Sequence, residues 1–252
     1  MKLRPGYLLY KYLYLTQFSI HNAMMHYKLE KIAPEIKGSW LDIGAGNQPY
    51  KKYFAGADEY LTTNTKRHYN NQDLADLENQ TTYWIEDGKK LPLPEPSLDG
   101  VACFQVLSVI DKPEEFFMEI NRVLKPGGKL ILTTDLLYPV WSKEDRYRHT
   151  AFNLRQLSEL NGFSVEAIES FGGFSSMAYT MLMRFIRSFP EIWKRKNIIV
   201  RFFSGIAYLI TLILIPIVSF IGWLIFQVDK NNTLTTDFTF NLLLRATKNT
   251  SE

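Results

Sequence analysis

Several short groups of residues in this chain could bind a ligand, and the first of them follows an apolar run. Trp40–Ile43 includes one acid, Asp42, and is followed directly by Gly44, Ala45 and Gly46. Glycines let a backbone approach a ligand closely and adopt dihedral angles that other residues avoid. The pattern favours a ligand-binding loop, and a glycine turn without a ligand is the alternative.

Other candidate groups follow later apolar runs. Asp87 and Gly88 come after residues 82–85, and Gln105 comes after residues 100–104. A carboxylate accepts hydrogen bonds, whereas an amide both donates and accepts them. These residues are therefore candidates to contact the same ligand if the chain brings the ends of the two runs together.

The densest group of polar side chains is the sequence Asp-Arg-Tyr-Arg-His-Thr at residues 145–150. His149 is a candidate general base for a hydroxyl group, because an unperturbed imidazole titrates near neutral pH. Asp145 is a second candidate catalytic residue in this group. The alternative is structural, since acidic, hydroxyl and basic side chains here can cap a helix that begins near Phe152.

Short apolar runs alternate with helical patterns between residues 38 and 170. The runs predict strands at 40–43, 59–63, 82–85, 100–104, 129–134 and 163–168, with helices at 112–124 and 154–160. This alternation predicts an α/β fold with a doubly wound, mainly parallel sheet. Ligands bind such sheets beyond the carboxyl ends of the strands, where the glycine group and Gln105 would then lie.

Four segments carry a resemblance to a known family: DIGAGNQPY, DGKKLPLPEPSLDGV, FQVLSVIDKPEEFFMEINRVLKPGGKLIL and YRHTAFNLRQLSELNGF. Together they resemble class I S-adenosylmethionine-dependent methyltransferases of the type 11 kind, from about Gly38 to Gly173. The form D-x-G-x-G-x-x-P-Y is closest to a bacterial subgroup whose members often act in surface-polysaccharide pathways. The resemblance implies a Rossmann-like sheet of seven strands with an antiparallel last strand, and S-adenosyl-L-methionine as the cofactor.

The same resemblance implies roles for the candidate residues. The loop of Asp42, Gly44, Ala45 and Gly46 would cradle the methionine part of the cofactor, and Gln105 would line the cofactor cleft. The residues expected to contact its ribose and adenine are Asn64, Asp87 and Gly88.

Two positions depart from the family pattern. Asn64 stands where an acid usually binds the ribose hydroxyls, unless it is only a turn residue. Val106-Leu107-Ser108-Val109 replaces the usual V-L-E-H after Gln105, so an acid and an imidazole are absent. A dinucleotide-binding oxidoreductase is the competing interpretation of the glycine group, but its third glycine is replaced by Pro49.

Composition limits the classes of partner. The net charge of +3 is too small to indicate a nucleic-acid partner, and no zinc-like spacing of ligands occurs. The single cysteine, Cys103, excludes an internal disulfide framework and is expected to be a small buried apolar residue. The sequence does not indicate an oligomeric state.

A hydrophobic segment lies before the final predicted strand. Residues 202–228 contain no charged side chain, and a basic cluster that ends at Arg201 precedes them. This combination predicts contact with an anionic membrane surface on its cytoplasmic side. Pro216 favours a bent, re-entrant helical hairpin, and a single membrane span or a buried core helix are the alternatives.

The expected organisation has four parts: an N-terminal helical cap at 1–37, the methyltransferase core at 38–173, the membrane-associating insert at 174–235, and the last strand with a tail at 236–252. The cap could cover the sheet edge, form a lid or contact a membrane. The expected function is methyl transfer at the cytoplasmic membrane face to a small-molecule or lipid-linked acceptor such as a sugar hydroxyl. The alternative is a membrane-bound module that binds the cofactor but has lost catalysis.

Overall fold

The computed structural model describes residues 19–66, 71–86, 90–140, 142–187, 198–231 and 239–250. Its strands are β1 (Ser39–Ile43), β2 (Glu59–Asn64), β3 (Tyr83–Trp84), β4 (Leu98–Phe104), β5 (Leu124–Asp135), β6 (Phe163–Ser170) and β7 (Asn241–Lys248). Its α-helices are α1 (Ile20–Ile32), α2 (Asn71–Glu78), α3 (Pro113–Val123), α4 (Ala151–Leu160), α5 (Phe174–Arg187) and α6 (Ile198–Asp229).

The strands form one sheet in the order β3-β2-β1-β4-β5-β7-β6. The first five strands pair in parallel, whereas β7 pairs antiparallel with both β5 and β6. The strand order reverses between β1 and β4, which places a binding crevice at their carboxyl ends. The predicted seven-stranded α/β fold with an antiparallel last strand is confirmed.

Strand β5 is longer than the strand predicted at 129–134. It begins at Leu124 because this residue pairs with Leu98, and the ladder shifts register before Gly100 pairs with Lys129. The residues before 129 are therefore an irregular part of the strand, where Gly127 has a positive φ of 78°. The last strand was predicted within residues 236–252, and β7 occupies Asn241–Lys248 of that range.

The core of the sheet unit follows from the apolar periodicity of α3. Phe116, Phe117, Ile120 and Val123 share one face of this helix and are fully buried. They belong to one cluster with the alternating residues of β5 and β7. Cys103 is buried in the same cluster, where burial raises the pKa of its thiol.

The chain divides into two units. The sheet unit comprises residues 26–170 and 240–252, and the described part of the second unit is residues 19–25, 171–187, 198–231 and Thr239. The predicted core had its limits at Gly38 and Gly173. The N-terminal cap predicted at 1–37 is described only from Ser19 onward, where α1 is its principal element.

In the second unit, an acid at the end of α6 binds the beginning of α5. Asp229 Oδ2 accepts hydrogen bonds from the backbone N–H of Gly173 at 3.2 Å and of Ser176 at 3.0 Å, and from Ser176 Oγ at 2.7 Å. A carboxylate at a helix N-terminus satisfies backbone donors that have no partner within the helix. The two helices also pack closely, because a Cβ on Gly222 would lie 2.4 Å from Tyr179 Cζ.

Residues 198–229 form a single helix that continues through Pro216. The two-armed hairpin predicted from that proline is therefore wrong. Proline removes one helical hydrogen bond, but its direct neighbours Ile215 and Ile217 are β-branched apolar residues that do not favour a turn. Among the described residues, no helix combines the length and hydropathy required to cross a bilayer.

Candidate cofactor site

The strand register brings three of the predicted groups to one edge of the sheet. Ile43, at the end of β1, pairs with Thr63 of β2 on one side and with Cys103 of β4 on the other. The glycine loop, Asn64 and Gln105 therefore all follow the carboxyl ends of adjacent strands. Asp87 and Gly88, which were predicted to contact adenine, lie outside the described residues.

Gly44 is held in a conformation and a space that only glycine fits. Its φ is +72°, and a Cβ at this position would lie 2.5 Å from Val106 Cγ2. The backbone N–H groups of Gly44 and Ala45 donate to the carbonyl oxygen of Thr63, at 2.9 and 3.1 Å. The loop is thus anchored to β2, and Gly44 itself remains exposed to a ligand.

Asn64 is placed at the end of β2 as predicted, but its amide is engaged by the glycine loop. Asn64 Oδ1 accepts from the N–H of Gly46 at 2.9 Å, and Asn64 Nδ2 donates to the carbonyl oxygen of Gly46 at 3.3 Å. The same Nδ2 donates to Thr81 Oγ1 at 2.9 Å. Only 2% of Asn64 is exposed, so its predicted contact with a ribose stays a prediction.

Asp42 is a buried acid with one unpaired oxygen. Tyr60 donates its hydroxyl hydrogen to Asp42 Oδ2 at 2.7 Å, whereas Oδ1 is buried without a hydrogen-bond partner among the described residues. Burial raises the pKa of Asp42 to about 7, and the bond from Tyr60 opposes that rise. A cation or hydrogen-bond donor brought to Oδ1 would favour the charged carboxylate.

Gln105 combines backbone strain with an unpaired acceptor. Its φ is +60°, although it is not a glycine. Its backbone N–H donates to the carbonyl oxygen of Thr133 at 3.1 Å, and its Nε2 donates to Thr133 Oγ1 at 3.0 Å. Gln105 Oε1 is buried without a partner among the described residues. Strain and an orphaned acceptor at a strand end are typical of a functional site.

Sequence reasoning missed the residues that support this edge. Tyr60 orients Asp42, Thr133 orients Gln105, and Val106 limits the space above Gly44. Tyr50, from the DIGAGNQPY motif, packs its ring against Phe104 with centroids 5.1 Å apart. These contacts depend on which residues of neighbouring strands lie side by side, and that register cannot be deduced from one sequence.

The loop that carries Asp145 and His149 lies beside the same edge. The backbone N–H groups of Arg146 and Tyr147 donate to the carbonyl oxygen of Ser108, at 2.9 and 3.2 Å. Ser108 belongs to the short 3-10 helix Leu107–Val109, which follows Gln105 after one residue. The structure therefore brings this loop close to the end of β4.

Within this loop, Asp145 and Thr150 make structural contacts. Arg148 pairs with both carboxylate oxygens of Asp145, and the Nη2–Oδ2 distance is 2.7 Å. Thr150 caps α4, since its side chain accepts from the N–H of Asn153 at 3.2 Å. The helix-capping interpretation is thus confirmed for Thr150, and the paired carboxylate of Asp145 is poorly suited to accept a proton.

His149 is buried and keeps one nitrogen without a partner. Its Nδ1 lies 2.7 Å from Asn153 Oδ1, whereas its Nε2 is buried with no hydrogen-bond partner among the described residues. Because Asn153 Oδ1 is an acceptor, Nδ1 carries the hydrogen and Nε2 is the basic nitrogen. Burial lowers the pKa of His149, so the imidazole is neutral at neutral pH.

Comparison with known proteins agrees with this geometry. Residues 41–132 match the family model described as a methyltransferase domain. The chain is 35% identical over 83 residues to the malonyl-[acyl-carrier protein] O-methyltransferase of Hahella chejuensis, covering 30% of each chain. It is 25% identical over 181 residues to the ubiquinone/menaquinone biosynthesis C-methyltransferase of Rubrivivax gelatinosus, covering 70% of this chain and 66% of that one. The chain thus spans less than two thirds of the length of either relative.

A solved structure supports the same fold. Phosphoethanolamine N-methyltransferase 2 of Haemonchus contortus, in complex with S-adenosyl-L-methionine, superposes with a TM-score of 0.53 at 16% identity. The superposition covers 88% of this chain and 52% of that one. S-adenosylmethionine is the cofactor that methyltransferases of this kind use. The predicted resemblance to the class I S-adenosylmethionine-dependent methyltransferases is confirmed for the methyltransferase domain at residues 41–132.

Proposed function

We propose that this chain transfers a methyl group from S-adenosylmethionine to an acceptor held at a membrane surface. The observation that carries the proposal is the carboxyl edge of β1, β2 and β4, where the exposed Gly44 lies beside two buried acceptors that have no partner among the residues the structure describes. Unpaired buried polar atoms are costly, and a bound ligand that donates hydrogen bonds would offset that cost.

The residues of this edge fit the methionine part of the cofactor. Its ammonium group is a cation and a donor, which suits Asp42 Oδ1, and Gln105 Oε1 offers a second acceptor. Gly44 leaves its backbone open to the ligand, where a side chain would collide with Val106. The polar groups that the cofactor presents are thus complementary to the groups that this site leaves unsatisfied.

The bound cofactor supplies an electrophilic methyl group on a sulfonium sulfur. The protein has to orient an acceptor, exclude water and, for a hydroxyl acceptor, remove a proton. His149 suits the last task, because its Nε2 is neutral, buried and without a partner in the described structure. Asn153 fixes the tautomer by accepting the hydrogen on Nδ1.

The membrane part of the proposal is supported by helix α6. Large apolar side chains are exposed over most of its circumference, including Phe202, Leu209, Ile217, Phe220 and Leu224. Its buried positions Ile215, Gly222 and Asp229 are spaced seven residues apart and lie on one stripe, and Gly205 is the other buried position among the residues of this helix whose burial is described. An exposed apolar surface of this extent marks a membrane or partner contact, and Arg201 at its start is suited to anionic lipid.

The acceptor class that we propose is a sugar hydroxyl, lipid-linked or in a surface polysaccharide, on the cytoplasmic side of the membrane. Its support is the D-x-G-x-G-x-x-P-Y form, which resembles proteins of polysaccharide pathways, together with the exposed helix. Incubation of the protein with methyl-labelled S-adenosylmethionine and membrane extracts tests the proposal. A labelled glycolipid or glycan is expected with the wild type and not with Asp42→Ala. Cofactor binding without any labelled product would instead indicate a module that has lost catalysis.

A further inference from the structure

The amide of Asn64 has already used its donors within the protein. A primary amide has two N–H donors and one oxygen with two lone pairs. Both Nδ2 hydrogens have acceptors, the carbonyl oxygen of Gly46 and Thr81 Oγ1, and Oδ1 already accepts from the N–H of Gly46. Asn64 therefore has no donor left for a ligand, and with only 2% of the residue exposed it has little surface through which the second lone pair of Oδ1 could accept from one.

An acid at this position could not make the same contacts. A carboxylate only accepts hydrogen bonds, so it could bind the Gly46 N–H but would face the Gly46 carbonyl oxygen without a hydrogen between them. The identity of Asn64 is thus explained by the glycine loop, where it binds both backbone groups of one residue. In Rossmann-type sites, an acid about 20 residues after the first glycine binds the ribose hydroxyl, and Asn64 occupies this place.

We propose that Asn64 is a positioning residue that fixes the glycine loop and does not recognise the ribose, so that this site tolerates a cofactor whose ribose lacks a hydroxyl. The proposal rests on the proposed function, because it concerns the same cofactor. The affinity of this chain comes from the loop, from Asp42 and from Gln105. The ribose diol then adds little, since Asn64, unlike an acid, offers it no charge-assisted bond.

Calorimetry with S-adenosylhomocysteine and its 2′-deoxy and 3′-deoxy analogues tests the proposal on the wild type, without any substitution. The three dissociation constants are expected to agree within about threefold, because a hydrogen bond between a ribose hydroxyl and a neutral, partly exposed group adds little to the binding free energy. Loss of a bond to a charged group would weaken binding about ten- to a hundredfold, and such a loss would overturn the proposal. A folded wild type that binds none of the three would overturn the proposed function as well, which is a different outcome.

Two variants separate positioning from recognition. Asn64→Asp keeps the shape and the acceptor but removes both donors, so we expect about tenfold weaker binding of S-adenosylhomocysteine. Thr81→Val, the matched control, removes one acceptor of Asn64 and leaves both contacts to Gly46, so its effect should be smaller. Tighter binding by Asn64→Asp, with strong discrimination against the deoxy analogues, would overturn the proposal.

Hydrogen exchange supplies a measurement that needs no ligand. In Asn64→Ala, the amides of residues 44–48 should exchange faster than in the wild type, whereas those of the β5–β7 ladder should be unchanged. Equal protection of residues 44–48 in the two proteins would show that Asn64 does not hold the loop and would overturn the proposal.

Discussion

The carboxyl edge of the central strands and helix α6 differ in what they lack. The strand edge has buried polar atoms without hydrogen-bond partners in the described structure, and the helix has apolar side chains that are not buried. At the strand edge the apolar side chains are buried, and Asp42 Oδ1 and Gln105 Oε1 are among the buried polar atoms that have no partner in the described part of the chain. On α6 the polar end group Asp229 accepts three hydrogen bonds through Oδ2, and many of the exposed side chains are large and apolar.

This difference indicates two kinds of ligand. Buried acceptors that lack partners in the described structure favour a small molecule that carries hydrogen-bond donors or a positive charge, because such a ligand satisfies the acceptors. Exposed apolar side chains favour a nonpolar environment, because transfer of each one out of water lowers the free energy. The proposed function assigns the strand edge to a polar cofactor and α6 to a membrane surface, and each assignment can be tested separately.

The largest expected effect is on turnover. If His149 removes a proton from a hydroxyl acceptor, His149→Ala should lower kcat by about 10²–10⁴ while cofactor affinity stays within about threefold. Because burial lowers the pKa of His149, wild-type activity should persist at pH 6.5 and fall only at lower pH. The pH dependence of kcat checks this. Near-wild-type turnover in the variant would contradict the role of His149 as a base and indicate a structural role, through its hydrogen bond with Asn153.

The membrane surface is tested by adding charge to α6. Combined Leu209→Glu, Ile217→Glu and Phe220→Glu substitutions should weaken binding to phosphatidylglycerol vesicles at least about a hundredfold, since burial of each large apolar side chain is worth ~1.5–3 kcal/mol. The matched control places glutamate at Met118, Phe152 and Leu160, which are exposed apolar residues of the sheet unit. Equal losses in the two variants, or no binding by the wild type, would contradict the assignment of α6.

The smallest effect concerns the pH dependence of stability. The folded-state pKa of Asp42, about 7, is above its ordinary value of 3.8, so the unfolded chain releases this proton first. The free energy of unfolding should therefore fall as pH rises from about 4 through about 7. In Asp42→Asn this decrease should disappear, which chemical denaturation at several pH values would detect.

Asp99→Asn serves as the control for this experiment. The pKa of Asp99 is lowered, mainly by its hydrogen bond from Lys125, so its contribution to stability is lost as pH falls. Asp99→Asn should lower the free energy of unfolding most at neutral pH and least in acid. This pH trend is the opposite of the one that the Asp42 carboxyl produces. If Asp42→Asn keeps the wild-type pH dependence, the buried carboxyl is not the group responsible.

The sequence predicted the sheet because its signals are local. Alternating runs, a glycine pair after Asp42 and the amphipathic face of α3 each depend on neighbouring residues in the chain. The antiparallel β7 was predicted through resemblance, and its buried Leu242 and Leu244 agree with that prediction. The predicted positions of Asn64 and Gln105 at strand ends also agree with the structure.

The contacts of those residues were not predictable, because they depend on partners distant in sequence. Asn64 bonds to Thr81 as well as to Gly46, and Gln105 bonds to Thr133 on another strand. The prediction of a hairpin at Pro216 was wrong for a different reason. A proline weakens a helix locally, and the sequence alone does not show whether the helix bends or reverses direction.

Calorimetric titration of the wild type with S-adenosylhomocysteine, S-adenosylmethionine and NAD tests the central claim most directly. Binding of the first two is expected, with no binding of NAD. Asp42→Ala should lose most of the affinity for both ligands, because it removes the buried carboxylate beside the glycine loop. Tight binding of NAD, or no binding of either adenosyl ligand by folded wild type, would contradict the assignment of this strand edge as a methyltransferase cofactor site.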